Sequence, residues 1–146
     1  MSPKSQTLLL YLTLTAIQTA HSVEEYVSHF FVPLSQMSRF MHNLTGFFPI
    51  ITISEPMFLF LNSTLLIFLL LIVPFLLHKK YWAMLVAGII TVIEILNGLT
   101  HIIISISIGG YFPGSISAPG LLIVGILFLK CLSRWFAIDD RSLRSK

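Results

Sequence analysis

From about residue 56 to 77, and again from about 82 to 108, the chain is almost entirely apolar, and only His78-Lys79-Lys80-Tyr81 separates the two runs. Each run is as long as the ~20 residues a helix needs to cross a bilayer. The pair therefore predicts a helical hairpin through a membrane. Two further runs, about 7–31 and 118–136, have the same character, the last being the shortest. With 55% hydrophobic and 10% charged residues and a mean hydropathy of +0.90, the composition lies far from that of a soluble domain. The expected fold class is all-α, an integral membrane four-helix bundle forming a single transmembrane domain over residues 1–136, with a polar, mobile tail from 137 to 146.

Local signals set the expected boundaries. Pro33 should stop the first helix, since proline disfavours continuing one. Residues 32 to 55 mix prolines, Arg39, His42 and aromatics, which reads as an interfacial loop with a short amphipathic helix. Ser54-Glu55-Pro56 makes a helix start, with proline tolerated in the first turn. Gly109-Gly110 closes the third run, and Trp82 and Trp135 read as interfacial anchors. Lys4, Lys79, Lys80, Arg134, Arg141, Arg144 and Lys146 fall on one side and Arg39 alone on the other. The positive-inside rule then places both termini in the cytoplasm of a multi-pass plasma or inner-membrane protein.

A second reading of the N-terminus is a signal peptide cleaved after Ala20. Gln18 at the minus-three position argues against it, although cleavage would leave His21 as an amino-terminal residue able to chelate copper. The single cysteine, Cys131, rules out an internal disulfide and a thiolate zinc cluster. Any metal must then use nitrogen and oxygen. The net charge of +3 comes largely from basic residues flanking apolar runs. That pattern is a topology signal and argues against nucleic acid as a partner.

Against this apolar background, His21-Ser22-Val23-Glu24-Glu25 is costly to place, because a charged side chain in a bilayer costs roughly 3 kcal/mol on insertion scales. At 100° per residue, Gln18, His21, Ser22, Glu25 and His29 share an arc of about 100°, with Glu24 on its shoulder. On the third helix Glu94, Asn97, Gly98, His101 and Ser105 do the same. At 1.5 Å per residue, His21 and Glu25 lie ~21 and ~27 Å along their helix, and Glu94 and His101 ~18 and ~28 Å along theirs. Two parallel helices thus carry polar stripes at the same depth, which should face each other in the half of the membrane away from the cytoplasm.

His21, Glu24, Glu25, Glu94 and His101 form a ligand set that suits iron, manganese or zinc. Bundle-core dimetal sites pair carboxylates with a Glu and a His three residues apart, and His21 to Glu24 is that spacing reversed. Without metal, a buried Glu beside a His is an acid and base pair. Polar contacts can also merely hold membrane helices together, at a modest ~0.6 kcal/mol each. That is a small return for five titratable groups at one depth. For His29 an interfacial position is the simpler reading.

These residues resemble the HXXEE domain family of small membrane proteins, whose signature His21-Ser22-Val23-Glu24-Glu25 matches. The family also carries a later histidine, here His101 preceded by Asn97, and a Tyr-x-Pro-Gly motif, here Tyr111-Phe112-Pro113-Gly114. The resemblance spans about residues 10 to 130 and implies a shared site without naming its reaction. The turn it marks lies just beyond the third helix, where it can cap the site with Tyr111 contributing a hydroxyl; an ordinary aromatic turn is the alternative.

The reading that follows is a metal-dependent enzyme acting on a membrane lipid or other lipophilic substrate, by oxidation or hydrolysis. His21, Glu25 and His101 are its ligands, Glu24 and Glu94 bridging ligands or bases. Asn97, Gln18, Pro113 and Gly114 support them. Two alternatives stand beside it. One is a metal-free lipid isomerase using Glu and His as acid and base. The other is a metal- or proton-carrying transport or complex subunit, for which four spans would require a homo-oligomer.

Overall fold

The computed structural model describes residues 3–144, with side chains for residues 4–135. Five helices and no strands occur among the described residues: α1 Pro3–Val27, α2 Phe31–Thr45, α3 Glu55–Leu77, α4 Tyr81–Ile108 and α5 Ala118–Arg144. Among the described residues, three of these helices are long and apolar enough to cross a membrane: α3, α4 and the Ala118–Trp135 part of α5. Their outward faces carry Phe60, Ile67 and Leu71 on α3 and Ile89, Leu96 and Ile106 on α4, each half-exposed or more. Apolar side chains pointing away from the fold are what lipid selects and water does not. These features point to a membrane protein.

α1 shows why it falls below that level of apolarity although it is 25 residues long. Its buried face is polar: Thr7, Tyr11, Thr15, Gln18, His21 and Glu25 recur at helical spacing, all nearly solvent-free. Leu9, Val23 and Val27 point outward instead. α1 packs against α3 and α5, and α4 packs against the same two helices. α1 and α4 therefore stand across the centre from each other and meet through side chains. The apolar core fills one end, where Tyr11, Ile72, Leu76, Ala87, Phe128 and Leu132 cluster. Tyr11 also donates its hydroxyl to the Leu69 carbonyl at 3.0 Å. The polar residues fill the other end.

Two expectations are corrected. The first helix ends at Val27, not 31: the chain turns through residues 28–30, with His29 at φ 57°, a left-handed conformation that histidine adopts more readily than most residues. Pro33 is the third residue of α2, where it has no intrahelical N–H partner to lose, so it opens a helix and stops none. Trp135 is not an interfacial anchor. It is 95% buried in the core, with the Lys79 ammonium 6.0 Å from its ring centre. Trp82, by contrast, is half-exposed.

Between α2 and α3 the chain folds back along α2. The Ser38 hydroxyl accepts from the Ile51 N–H at 2.7 Å and donates to the Pro49 carbonyl at 3.0 Å, while Ser35 accepts from the Ile53 N–H at 2.9 Å. α5 continues as helix to Arg144, into the polar tail expected from residue 137; residues 145 and 146 lie outside the described part.

Candidate functional site

The polar end centres on three residues. One ligand atom each from His21, Glu25 and His101 lies within 4.8 Å of the others, and all three residues are buried. Glu25 Oε1 stands 3.1 Å from His101 Nε2 and 3.4 Å from His21 Nε2. Helical periodicity sets half of this, since residues four apart share a face. α4 supplies the rest from across the core. The two imidazoles meet edge to face, ring centres 4.8 Å apart.

The protons on these rings follow from their outer partners. His101 Nδ1 lies 2.5 Å from the Pro113 carbonyl, which can only accept, so this nitrogen carries a hydrogen. His21 Nδ1 lies 2.8 Å from the Ser117 hydroxyl, whose own proton goes to Glu24 Oε2 at 2.6 Å. Ser117 must therefore accept from His21, and Nδ1 is again the donor. On the other side of that ring, Asn97 Nδ2 donates to Nε2 at 3.2 Å. In their neutral forms both rings thus leave Nε2 unprotonated beside the same carboxylate oxygen; on His21 the single electron pair of that nitrogen is the one Asn97 donates to, so a cation bound there takes the place of the Asn97 hydrogen. Three acceptor atoms this close repel one another, and a cation between them, as a proton on one of the groups or as a metal ion, would relieve that repulsion.

A metal fits the donor set. Bonds near 2.0 Å in tetrahedral geometry put neighbouring ligand atoms about 3.3 Å apart, and the two Glu25 distances bracket that value. Two imidazoles and one carboxylate serve zinc in hydrolases and iron in oxygenases, leaving positions open for water or substrate. The outer hydrogen bonds from Nδ1 to Pro113 and Ser117 are what orient such ligands and raise their basicity.

The two consecutive glutamates do different work. A step of 100° turns Glu25 to the imidazoles and Glu24 toward the start of α5. Glu24 accepts four hydrogen bonds there: from the Tyr111 hydroxyl at 3.2 Å, the Ile116 N–H at 3.0 Å, the Ser117 N–H at 2.9 Å and the Ser117 hydroxyl. A carboxylate at a helix N-terminus also meets the positive end of the helix dipole. Glu24 thus holds the turn in place and reaches His21 only through Ser117. Tyr111, half-exposed, bonds Glu24 and is not one of the three-residue group.

The rest of the Tyr-Phe-Pro-Gly turn forms the site's rear wall. Gly114 has φ +84°, and a Cβ there would stand 2.6 Å from His21 Cε1 and 2.8 Å from His101 Nδ1. Phe112 packs 5.5 Å from the His101 ring and Phe30 packs 5.0 Å from it, so aromatic rings flank the imidazole. Gly98 lets α5 approach α4 here, since a Cβ would lie 3.0 Å from the Ala118 carbonyl oxygen. That approach brings Ser117 within reach of His21.

Glu94 lies on the same side, 96% buried, beside Asn97, but outside the three-residue group. Its Oε2 makes no hydrogen bond, and neither does Gln18 Oε1. Both residues, with Glu25, Asn97 and His101, line a cavity of about 370 Å³ whose remaining walls are largely apolar.

A family model matches residues 12–129, and its description is a protein of unknown function with an HXXEE motif. The chain belongs to the HXXEE family. No curated protein and no solved structure matches it. In this HXXEE protein the signature is a piece of geometry: one imidazole set between two carboxylates, Glu25 directly and Glu24 by way of Ser117. Ser117, Phe30 and the Ser22–Asn62 pair are absent from the sequence reading. Of these Ser117 alone has a local signal, as a serine directly before the Ala118-Pro119 helix start.

Proposed function

We infer that this HXXEE protein is an integral membrane enzyme that holds a divalent metal on His21, Glu25 and His101 and acts on a lipid or other lipophilic substrate. The observation that carries the reading is the convergence of two Nε2 atoms and one carboxylate oxygen, each ring fixed from behind through its Nδ1 hydrogen. Iron, manganese and zinc all accept this donor set. When bound, the metal would supply a Lewis acid or an activated water. Glu94 would serve as the base or an additional ligand, and Asn97, giving up His21 Nε2 to the metal, would orient Glu94 by hydrogen bonding. The adjoining cavity, polar at this end and apolar beyond, suits a lipophilic substrate.

In this reading α1 is the fourth span. Its polar face is turned inward and its apolar face to lipid, giving a four-helix membrane bundle and one transmembrane domain over residues 1–136. The basic residues Lys4, Lys79, Lys80 and Arg134 lie at the end away from the site. Both termini are therefore cytoplasmic and the site belongs to the outer half of a plasma or inner membrane.

The test is elemental analysis of protein purified in detergent without chelator, beside His21→Ala and His101→Ala. The expected result is near-stoichiometric iron, manganese or zinc, lost in both variants. Well-folded wild type without metal would overturn it. The second reading, a proton-transfer isomerase, would then take its place. It draws on the same 3.1 Å contact between Glu25 and His101, which is within the range of an N–H···O hydrogen bond.

A further inference from the structure

α3 and α4 are joined by a short turn after Leu77, and beside it they share the apolar core, Ile72 and Leu76 coming from one and Ala83 and Ala87 from the other. Farther from the turn both helices line a cavity. It is the one of about 370 Å³ that meets Glu25, Asn97 and His101, with Leu61 and Leu65 on its α3 side and Ile93 and Thr100 on its α4 side. Leu61 is 47% exposed and Ile93 56%. A side chain that lines a cavity and is also half-exposed stands at its mouth, and here there is one on each helix. The cavity therefore opens sideways, between α3 and α4.

The surroundings of that mouth are apolar. Phe60 beside Leu61 and Leu96 beside Asn97 are exposed on the outward faces of two helices apolar enough to span a membrane. Thr100, exposed at the α4 lip, gives its hydroxyl hydrogen to the Leu96 carbonyl at 2.8 Å, which leaves no free hydroxyl hydrogen there to hold water. The depth of the cavity fits a lipid chain as well. From Glu55, where α3 starts, to Leu65 the helix advances ~15 Å at 1.5 Å per residue, half of a ~30 Å hydrocarbon core. At the Glu55 end the lining passes to Leu34, Met37 and Ile53, on and beside α2. On α4, His101 lies ~10 Å nearer that end than Glu94. The His/Glu group thus stands beside the upper part of the cavity, not at its floor. The volume is in the range of small-molecule sites, which suits one hydrocarbon chain and not a helix of a partner.

We propose that the cleft between α3 and α4 binds one acyl chain of a glycerophospholipid, taken sideways from the leaflet on the α2 side. The chain lies lengthwise, with its headgroup beside α2, its first carbons level with His101 and Glu25, and its end near Leu65. Phospholipid is what fills a bilayer at such a mouth, so the ligand needs no passage through water. The assignment deepens the enzymatic reading by naming its substrate class and route of entry, and rests on that reading for the chemistry alone. Occupancy of the cleft does not depend on the metal.

The test uses the full chain in phosphatidylcholine nanodiscs doped with a phosphatidylcholine whose acyl chain carries a photoreactive diazirine, either near the ester or at the chain end. Labelled residues are mapped by mass spectrometry. Phe60, outside the cleft, should take up both labels. Ile104 and Leu65 line the cavity and are half-buried; Ile104 should be labelled by the probe near the ester and Leu65 by the probe at the chain end. Ile93→Trp and Leu61→Trp each set an indole in the mouth, one from either lip. Both should reduce the two inner labels to that of Phe128, wholly buried in the core, while leaving Phe60 unchanged, which shows the fold intact. Label confined to the outer faces in wild type overturns the proposal, and so do inner labels that survive both tryptophan variants. A diazirine palmitic acid that labels Ile104 and Leu65 where phosphatidylcholine does not would overturn it too, by naming another occupant. Elemental analysis of the same samples separates the two readings. Inner label in protein without metal would sink the metal reading and leave this one standing; metal with outer label alone would do the reverse.

Discussion

Gly114 lies against His21 so closely that a Cβ would fall 2.6 Å from the ring's Cε1, and at φ +84° the backbone is in a conformation that side chains resist. The last residue of the Tyr-Phe-Pro-Gly turn is thus a spacer that lets the turn touch both imidazoles. Gly114→Ala should cost about 1–2 kcal/mol for the left-handed backbone alone, with a further ~1–3 kcal/mol for the overlap. The expected outcome is a lowered Tm in detergent and metal content falling to that of His101→Ala. Unchanged metal content would show that the turn is not the wall of the site.

The roles of the paired glutamates separate under isosteric substitution. Glu25→Gln removes the carboxylate between the imidazoles and should abolish metal binding. Glu24→Gln cannot accept from all four donors of the turn, so it should keep the metal but bind it about 10- to 100-fold more weakly, the usual effect of losing an outer partner. Metal titration of the two variants checks this. Equal losses in both would mean that Glu24 is itself a ligand.

Much of this site is legible in the sequence because helices convert spacing into direction. Gln18, His21 and Glu25 share the buried face of α1, and Glu94 and His101 that of α4, as the 100° arithmetic requires. What is not legible is set by contacts between distant segments. Ser117 lies 96 residues from His21, and nothing local marks it as the acceptor that fixes the ring's proton. Glu24 looks like a ligand in sequence because it is a carboxylate beside Glu25. The start of α5 claims it instead. The end of α1 is misplaced for a different reason: Pro33 tells where a helix cannot continue, yet it equally suits the first turn of α2, and sequence alone does not choose between them.

Ser117→Ala tests the link from Glu24 to His21. Without the hydroxyl, His21 Nδ1 loses its acceptor and the ring is no longer held from behind. Metal affinity should fall by about 10- to 100-fold. Because Glu24 acts on His21 through this hydroxyl, the double variant Glu24→Gln/Ser117→Ala should lose little more affinity than either single change. Additive losses would mean that the two residues act independently.

Tyr11→Phe separates stability from the site. It deletes only the hydroxyl that bonds the Leu69 carbonyl, at the apolar end of the core. The cost should be about 1 kcal/mol, visible as a Tm lowered by a few degrees. Metal content and affinity should not change, and a loss of metal here would show that the two ends of the fold are coupled.

Metal removal supplies the last test, because an ion bound by the folded state alone stabilises it by mass action. At a free concentration one hundred times Kd the gain is about 2.7 kcal/mol, which for a chain of this size is a Tm shift of several degrees. Chelator should therefore lower the Tm of wild type and of Tyr11→Phe by similar amounts. It should leave Glu25→Gln unmoved, since that variant has no carboxylate between His21 and His101 to complete the site. A chelator-induced shift of the same size in Glu25→Gln would place the metal elsewhere in the fold.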